Sequence, residues 1–222
     1  TATSGAVTVD LTAPTLTIGM TSNNAVVNTQ AKLNDVITLA ITASEAVTAL
    51  VCTIDGEATT MGGSGTGWTS TLTLSGDETA GALAFSCASF KDATGNVGVT
   101  DTSANTGSVN VDFTAPTLGI AMASNNDNAA TLAVSGDIIT LTITASEAVT
   151  ALVCTIDGEA TTMGGSGTSW TSALTLSGDE TEGATAFSCA SHIDAAGNAG
   201  VTDTTATSGA VTIDLTAPTI SG

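Results

Sequence analysis

The stretch from Ile41 to Thr66, ITASEAVTALVCTIDGEATTMGGSGT, returns without a change from Ile143 to Thr168. Inside it Leu50, Cys52 and Ile54 alternate with Val51 and Thr53, the period-two pattern of a strand with one buried face. Asp55-Gly56 then stops the run with a dipeptide suited to a tight hairpin turn. Outward from this stretch the duplication covers the whole chain. Asp35 and Asp137, Cys52 and Cys154, Trp68 and Trp170, and Cys87 and Cys189 all stand 102 residues apart, and Asp10, Asp112 and Asp214 mark three equivalent points, as do Pro14, Pro116 and Pro218. A period near one hundred is the size of a small domain, too long for a solenoid repeat. The spacing predicts domains at 11–112 and 113–214, with 215–222 opening the next linker or repeat. Residues 1–10 match 205–214 almost letter for letter, so they read as the last strand of a preceding repeat.

Alternation continues along each copy, and no window carries a helical stripe. Leu16, Ile18 and Met20 form one strand; Ile37, Leu39 and Ile41 line one face of the next. Trp68, Ser70, Leu72 and Leu74 follow a glycine-rich stretch, Gly62 to Gly67, which reads as a flexible inter-strand loop. Leu83, Phe85 and Cys87 form a later strand, Lys91 to Asn96 a turn, and Val97 with Val99, then Val109 with Val111, the last strands. Many short strands separated by turn signals within about a hundred residues predict a β-sandwich.

Composition narrows the function classes. Two basic residues, Lys32 and Lys91, face 21 acidic ones, for a net charge of −19. Nucleic acid, which is bound by displacing counterions with a basic face, is excluded as a partner, and nothing in the segment inserts into a membrane. The four cysteines fall two per copy at identical spacing, without a C-x-x-C pair, and the single histidine, His192, is Phe90 in the first copy. This favours one disulfide per domain, Cys52 with Cys87 and Cys154 with Cys189, over a metal site or free thiols, and so an oxidising compartment. Both cysteines share parity with the apolar residues of their strands and point inward; the spacing leaves open whether they bridge the two sheets or neighbouring strands.

At this level the residues resemble a family. Asp-x-Thr-Ala-Pro-Thr at the junctions, Ala-Ser-Glu-Ala-Val after the second main strand, a tryptophan in a late strand and Asp-Ala-x-Gly-Asn before the last strand are similar to bacterial Ig-like repeats. The resemblance implies all-β, Greek-key Ig-like sandwiches in tandem, of the kind that form stalks of large surface adhesins. The cysteine pair and the late position of Trp68 depart from the usual pattern.

With the strands lettered A to G and alternating in direction, the start of a domain shares one pole with its B–C and F–G loops. That gathers Asp10, Glu45, Asp92 and Asn96 in the first copy, and Asp112, Glu147, Asp194 and Asn198 one period on, with Asp77 and Glu78 as further candidates at the exit pole. Mixed carboxylate and amide oxygens suit Ca²⁺. The competing reading is that Asp92 and Asn96 are turn formers capping their own backbone.

No Ser-His-Asp or Cys-His arrangement can exist in both copies, so an enzyme is not expected. The expected function is a structural spacer in an extracellular or cell-surface protein, its partners being neighbouring copies of the same repeat in cis. The alternative is a self-assembling filament, in which residues 1–10 complete a neighbouring chain's sheet in trans. The stretch where the copies differ most, Asn23 to Asn34 against Asn125 to Gly136, is the place for a specific contact; the ligand of any adhesive tip is not written in the sequence.

Overall fold

The computed structural model describes residues 8–220, and the described residues contain strands and turns with no α-helix. Residues 1–7, most of the orphan strand, lie outside the described residues. The chain divides into two compact units between Phe113 and Thr114. The first holds β1 (Leu16–Ser22), β2 (Gln30–Ala31), β3 (Val36–Val47), β4 (Val51–Ile54), β5 (Glu57–Ala58), β6 (Thr60–Thr73), β7 (Gly81–Ala82), β8 (Phe85–Ala88) and β9 (Asn110–Val111). The second repeats them as β10 (Leu118–Ser124), β11 (Leu132–Ala133), β12 (Ile138–Val149), β13 (Val153–Ile156), β14 (Glu159–Ala160), β15 (Thr162–Thr175), β16 (Gly183–Ala184), β17 (Phe187–Ala190) and β18 (Thr212–Ile213).

One sheet of the first unit runs β1-β3-β6 and the other β5-β4-β8, while β2-β9-β7 closes the rim. The alternation read from sequence sets which face is buried. Leu16, Ile18 and Met20 turn inward from β1, and Ile37, Leu39 and Ile41 from β3, with threonines between them outside. Their partners from the second sheet are Leu50, Cys52, Ile54, Phe85 and Cys87, all buried. Ile54 pairs with Glu57 across Asp55-Gly56, and positive φ at both turn residues (49° and 84°) makes this the primed turn that matches strand twist.

The glycine-rich stretch is not a loop. It lies within β6, where Gly67 pairs with Thr42 and Gly65 with Val47 across an irregular register. The extended chain folds back on itself there. A Cβ on Gly62 would lie 2.9 Å from the Thr69 hydroxyl, and one on Gly63 would lie 2.3 Å from the Gly67 carbonyl oxygen. Glycine is required because two backbones meet with no room for a side chain and φ is +97° at Gly63. Counting the two arms of β6 separately, the sheets read A-B-E-D and C′-C-F, with Asp101 bridged to Cys87 in the G position. This is the Ig arrangement.

Val97 and Val99 also depart from expectation. They are 64% and 83% exposed, and only Val97 forms a bridge, to Lys91. The inward position of this segment belongs to Gly98, which lies flat on the buried Phe90 ring; a Cβ there would sit 1.9 Å from the ring. The aromatic ring fills the volume a valine would have used, so the valines on either side face out.

The disulfide is settled by register. Cys52 stands directly opposite Cys87 on paired strands β4 and β8, bonded across a sequence separation of 35, and Cys154–Cys189 repeats the arrangement. The cross-link therefore ties neighbours within one sheet. In chain-entropy terms a loop of this length contributes about 3.5–4 kcal/mol. Beside it Ser70, fully buried on the inward face of β6, donates to the Thr59 hydroxyl at 2.6 Å, which donates to the Cys52 carbonyl at 2.8 Å. A polar residue is tolerated in the core because this relay satisfies it.

His192 has no such relief. It occupies the slot of Phe90, is fully buried, and neither ring nitrogen has a hydrogen-bond partner among the described residues. An unsatisfied buried polar group costs about 1–3 kcal/mol. His192→Phe, which restores the residue of the first copy, is expected to stabilise the second unit by about that amount, read as a higher urea midpoint with an unchanged m-value.

Candidate functional site

Asp10, Glu45 and Asp92 converge in the first unit: one carboxylate oxygen from each lies within 4.8 Å of the others. Three different elements deliver them. Asp10 precedes the Pro14 segment and accepts the Thr12 N–H at 3.0 Å. Glu45 sits near the end of β3, on the strand and not in the B–C loop expected from sequence. The register irregularity between Thr42 and Val47 carries it there. Asp92, 4% exposed, heads the turn that Lys91 and Val97 close.

The turn itself holds Asp92 in place. One carboxylate oxygen accepts the N–H groups of Thr94 (2.9 Å), Gly95 (2.6 Å) and Asn96 (2.8 Å), and the other accepts the Asn96 side-chain amide at 2.8 Å. The turn-capping role is thus built in. The Asn96 amide also donates to the Asp10 carbonyl at 3.1 Å, so it braces two of the three acids. In the second unit Asp194 is likewise buried and takes both the N–H and the side-chain amide of Asn198 at 2.8 Å. Glu147 lies on β12 as Glu45 does on β3. Asp112, the counterpart of Asp10, closes the first unit just after β9, where its N–H donates to the Ala31 carbonyl at 2.9 Å.

Electrostatics separate the members of the trio. Glu45 is raised above its ordinary value by burial and by the negative charges of Asp10 and Asp92. For Asp92 burial acts upward, but the hydrogen bonds from Asn96, Thr94 and Gly95 outweigh it and its value is lowered. Each of the three offers one carboxylate oxygen to the same space, and carboxylate oxygens are of the hard type that Ca²⁺ takes.

Asp77 and Glu78 gather with Glu57, not anticipated from sequence, whose acids again lie within 4.8 Å. The signal was present: the two-residue Asp55-Gly56 turn makes Glu57 the first residue of the returning strand, beside the next acidic loop. Glu78 is mostly committed to its own turn, accepting the N–H groups of Ser75 and Gly76 at 2.9 Å each. Differences between the copies matter locally. Glu182, which is Ala80 in the first copy, accepts the Leu215 N–H at 2.9 Å and the Thr216 hydroxyl at 2.7 Å, fastening the outgoing segment to the E–F loop. In the variable A–B region both copies keep one lock, Asn24 to Asp35 and Asn126 to Asp137, each at 2.7 Å, while Val26 and Val27 are exposed.

No family model and no curated protein matches the chain. Among solved structures it is similar to a three-Ig structure of titin domains I67-I69 carrying an E-to-A mutation, at 12% identity and TM-score 0.49, covering 92% of this chain and 66% of that one, just under two thirds of its length. It is also similar to fibronectin(III)-like modules of Clostridium thermocellum CbhA, at 16% identity and TM-score 0.35, covering 88% and 93%. The strand register above defines the chain as a tandem of Ig-like β-sandwich modules with one disulfide in each.

The opposed shifts in the trio give a pH signature in chelator-containing buffer. Because Glu45 is raised, its ionised form disfavours the fold at neutral pH, and stability recovers as pH falls through the raised value toward the ordinary 4.5. Because Asp92 is lowered, its contribution is complete above the ordinary 3.8 and disappears as pH falls through the lowered value. Thermal unfolding of the first unit should therefore pass through a shallow maximum on acidification, and Glu45→Gln should reduce the rise, leaving the part that belongs to Glu57, which burial and its acidic neighbours also raise, and leaving the final fall.

Proposed function

We propose that the chain is a structural spacer, part of the stalk of an extracellular or cell-surface protein of adhesin type, with Ca²⁺ held by the acidic trio of Asp10, Glu45 and Asp92. The observation that carries this reading is duplication of a complete module: two sandwiches of the same strand order, each with its own cross-strand disulfide. A part specified by length can be copied unchanged, whereas a binding or catalytic part diverges on its working face. Disulfides suit an oxidising exterior, and among the described residues no helix is long and apolar enough to cross a membrane.

Calcium enters as part of the proposal. Asp10, Glu45 and Asp92 supply three hard oxygens, with backbone carbonyls and water able to complete a shell of six to eight. A bound cation would offset both the burial of the Glu45 carboxylate and the repulsion from Asp10 and Asp92 that raise it. The alternative, a filament built by strand addition, has less support, because β9 and β18 already occupy the last-strand position of their own units. A donated copy of residues 1–10 would have to displace one of them.

Small-angle scattering and thermal unfolding with Ca²⁺, then with excess chelator, test the reading. Chelation is expected to lower the melting temperature and to shorten or broaden the largest dimension, and Asp92→Asn should blunt both responses. A chain whose length and melting temperature ignore chelator would remove calcium from the proposal. Concentration-dependent growth into long polymers would favour the filament over the spacer.

A further inference from the structure

We propose that Met61 and Met163 are oxidation sites for a hydroperoxide, and that their sulfoxides loosen the tie between the two sheets of each module by capturing the hydroxyl of Thr59 or Thr161. The proposal does not depend on the spacer reading.

The disulfide joins neighbours within one sheet, so it does not tie the two sheets together. Beside it a chain of hydroxyls crosses between them. Ser70 on β6, in one sheet, donates to the Thr59 hydroxyl at 2.6 Å, and Thr59 donates to the carbonyl of Cys52 on β4, in the other sheet, at 2.8 Å. The second unit repeats the chain with Ser172, Thr161 and Cys154, at 2.6 and 2.8 Å. A hydroxyl has one proton, so Thr59 serves one acceptor at a time. A rival acceptor stands close by: the Met61 sulfur lies 3.8 Å from the Thr59 hydroxyl, and the Met163 sulfur 3.7 Å from that of Thr161. A thioether accepts weakly, and the carbonyl keeps the proton.

Access separates these two methionines from the others. Met20 and Met122 are 3% and 5% exposed, inside the core, whereas Met61 and Met163 are partly exposed at its margin. The sulfur lone pair attacks the terminal oxygen of the peroxide and the O–O bond breaks. Sulfur is oxidised to the sulfoxide, and the departing oxygen takes up the proton of the transferred one and leaves as water or an alcohol. An apolar, weakly accepting group has become a polar one. Its new oxygen competes with the Cys52 carbonyl for the Thr59 proton from only two residues along the chain. Once that proton is captured, the link that runs from Ser70 through Thr59 to β4 is cut. The same change at Met163 cuts the link from Ser172 to β13.

Treating the whole chain with dilute hydrogen peroxide, then mapping peptide masses and following thermal melting, tests both parts. An added oxygen is expected at Met61 and Met163 before any at Met20 or Met122; equal oxidation of the buried pair would overturn the sites. The oxidised chain is expected to melt roughly 4–8 °C lower, the shift that follows loss of one hydrogen bond from a module of this size. An unchanged melting temperature would overturn the capture. Thr59→Val with Thr161→Val removes the hydroxyls, so peroxide should lower the melting temperature of that variant little further. A drop as large as in the natural chain would again overturn the capture. If the valine chain lacks a cooperative melting transition, Met61→Gln with Met163→Gln supplies a carbonyl acceptor without peroxide. That chain is expected to melt below the natural one, and melting at the same temperature counts against the proposal.

Discussion

Each module must hold two sheets together with very few large side chains. Aromatic residues make up 3% of the chain, and the interior is built mainly from isoleucine, leucine, valine and alanine around the cysteines. Burial of such side chains offsets the ordering of the backbone by a narrow margin in a domain of this size. The covalent tie between β4 and β8 enlarges that margin by constraining the unfolded chain. It also fixes the register of one sheet, which settles which residues of β4 and β8 face the core. The alternation of β1 and β3 then has a partner surface to meet.

The charge balance works against this. With 21 acids and two bases, the folded chain concentrates like charge. The structure manages it by committing buried acids to their own turns. Asp35 is bonded to Asn24 and to the backbone of Lys32, Glu78 to Ser75 and Gly76, and Asp92 to three successive N–H groups. Backbone donors do the work that lysine and arginine do elsewhere. Where acids from different elements meet, at Asp10, Glu45 and Asp92 and around Glu57, burial and neighbouring negative charge together raise Glu45 and Glu57 above their ordinary values.

The period-two pattern made much of the fold legible, because a strand with one buried face writes its orientation directly into alternate residues. It misled where that assumption failed. At Val97-Gly98-Val99 the pattern pointed inward, yet an aromatic ring from Phe90 already filled the space, and a ring arriving from another segment leaves no local trace. At Gly62 to Gly67 the run of glycines reads as a flexible loop, whereas in the fold it permits two backbones to touch. The acidic trio was legible from topology, since loops at one pole of a sandwich must be neighbours. The placement of Glu45 on β3 was not, because a register irregularity depends on the partner strand. The inward direction of the cysteines could be read, but their pairing within one sheet required the observed register.

The fastening of Leu215 and Thr216 by Glu182 bears on how such an array can be edited genetically. Tandem genes gain and lose units by unequal crossing-over between like tracts, and the stretch whose protein sequence is identical in both copies spans 41–66 and 143–168. Glu182 and its two acceptor-dependent partners all lie downstream of that tract. An exchange within it would therefore pass loop and outgoing segment on as one inheritance unit, whatever came before. Each descendant array would keep its exit matched to the module that holds it, so units could be shuffled without a misfit at the seam.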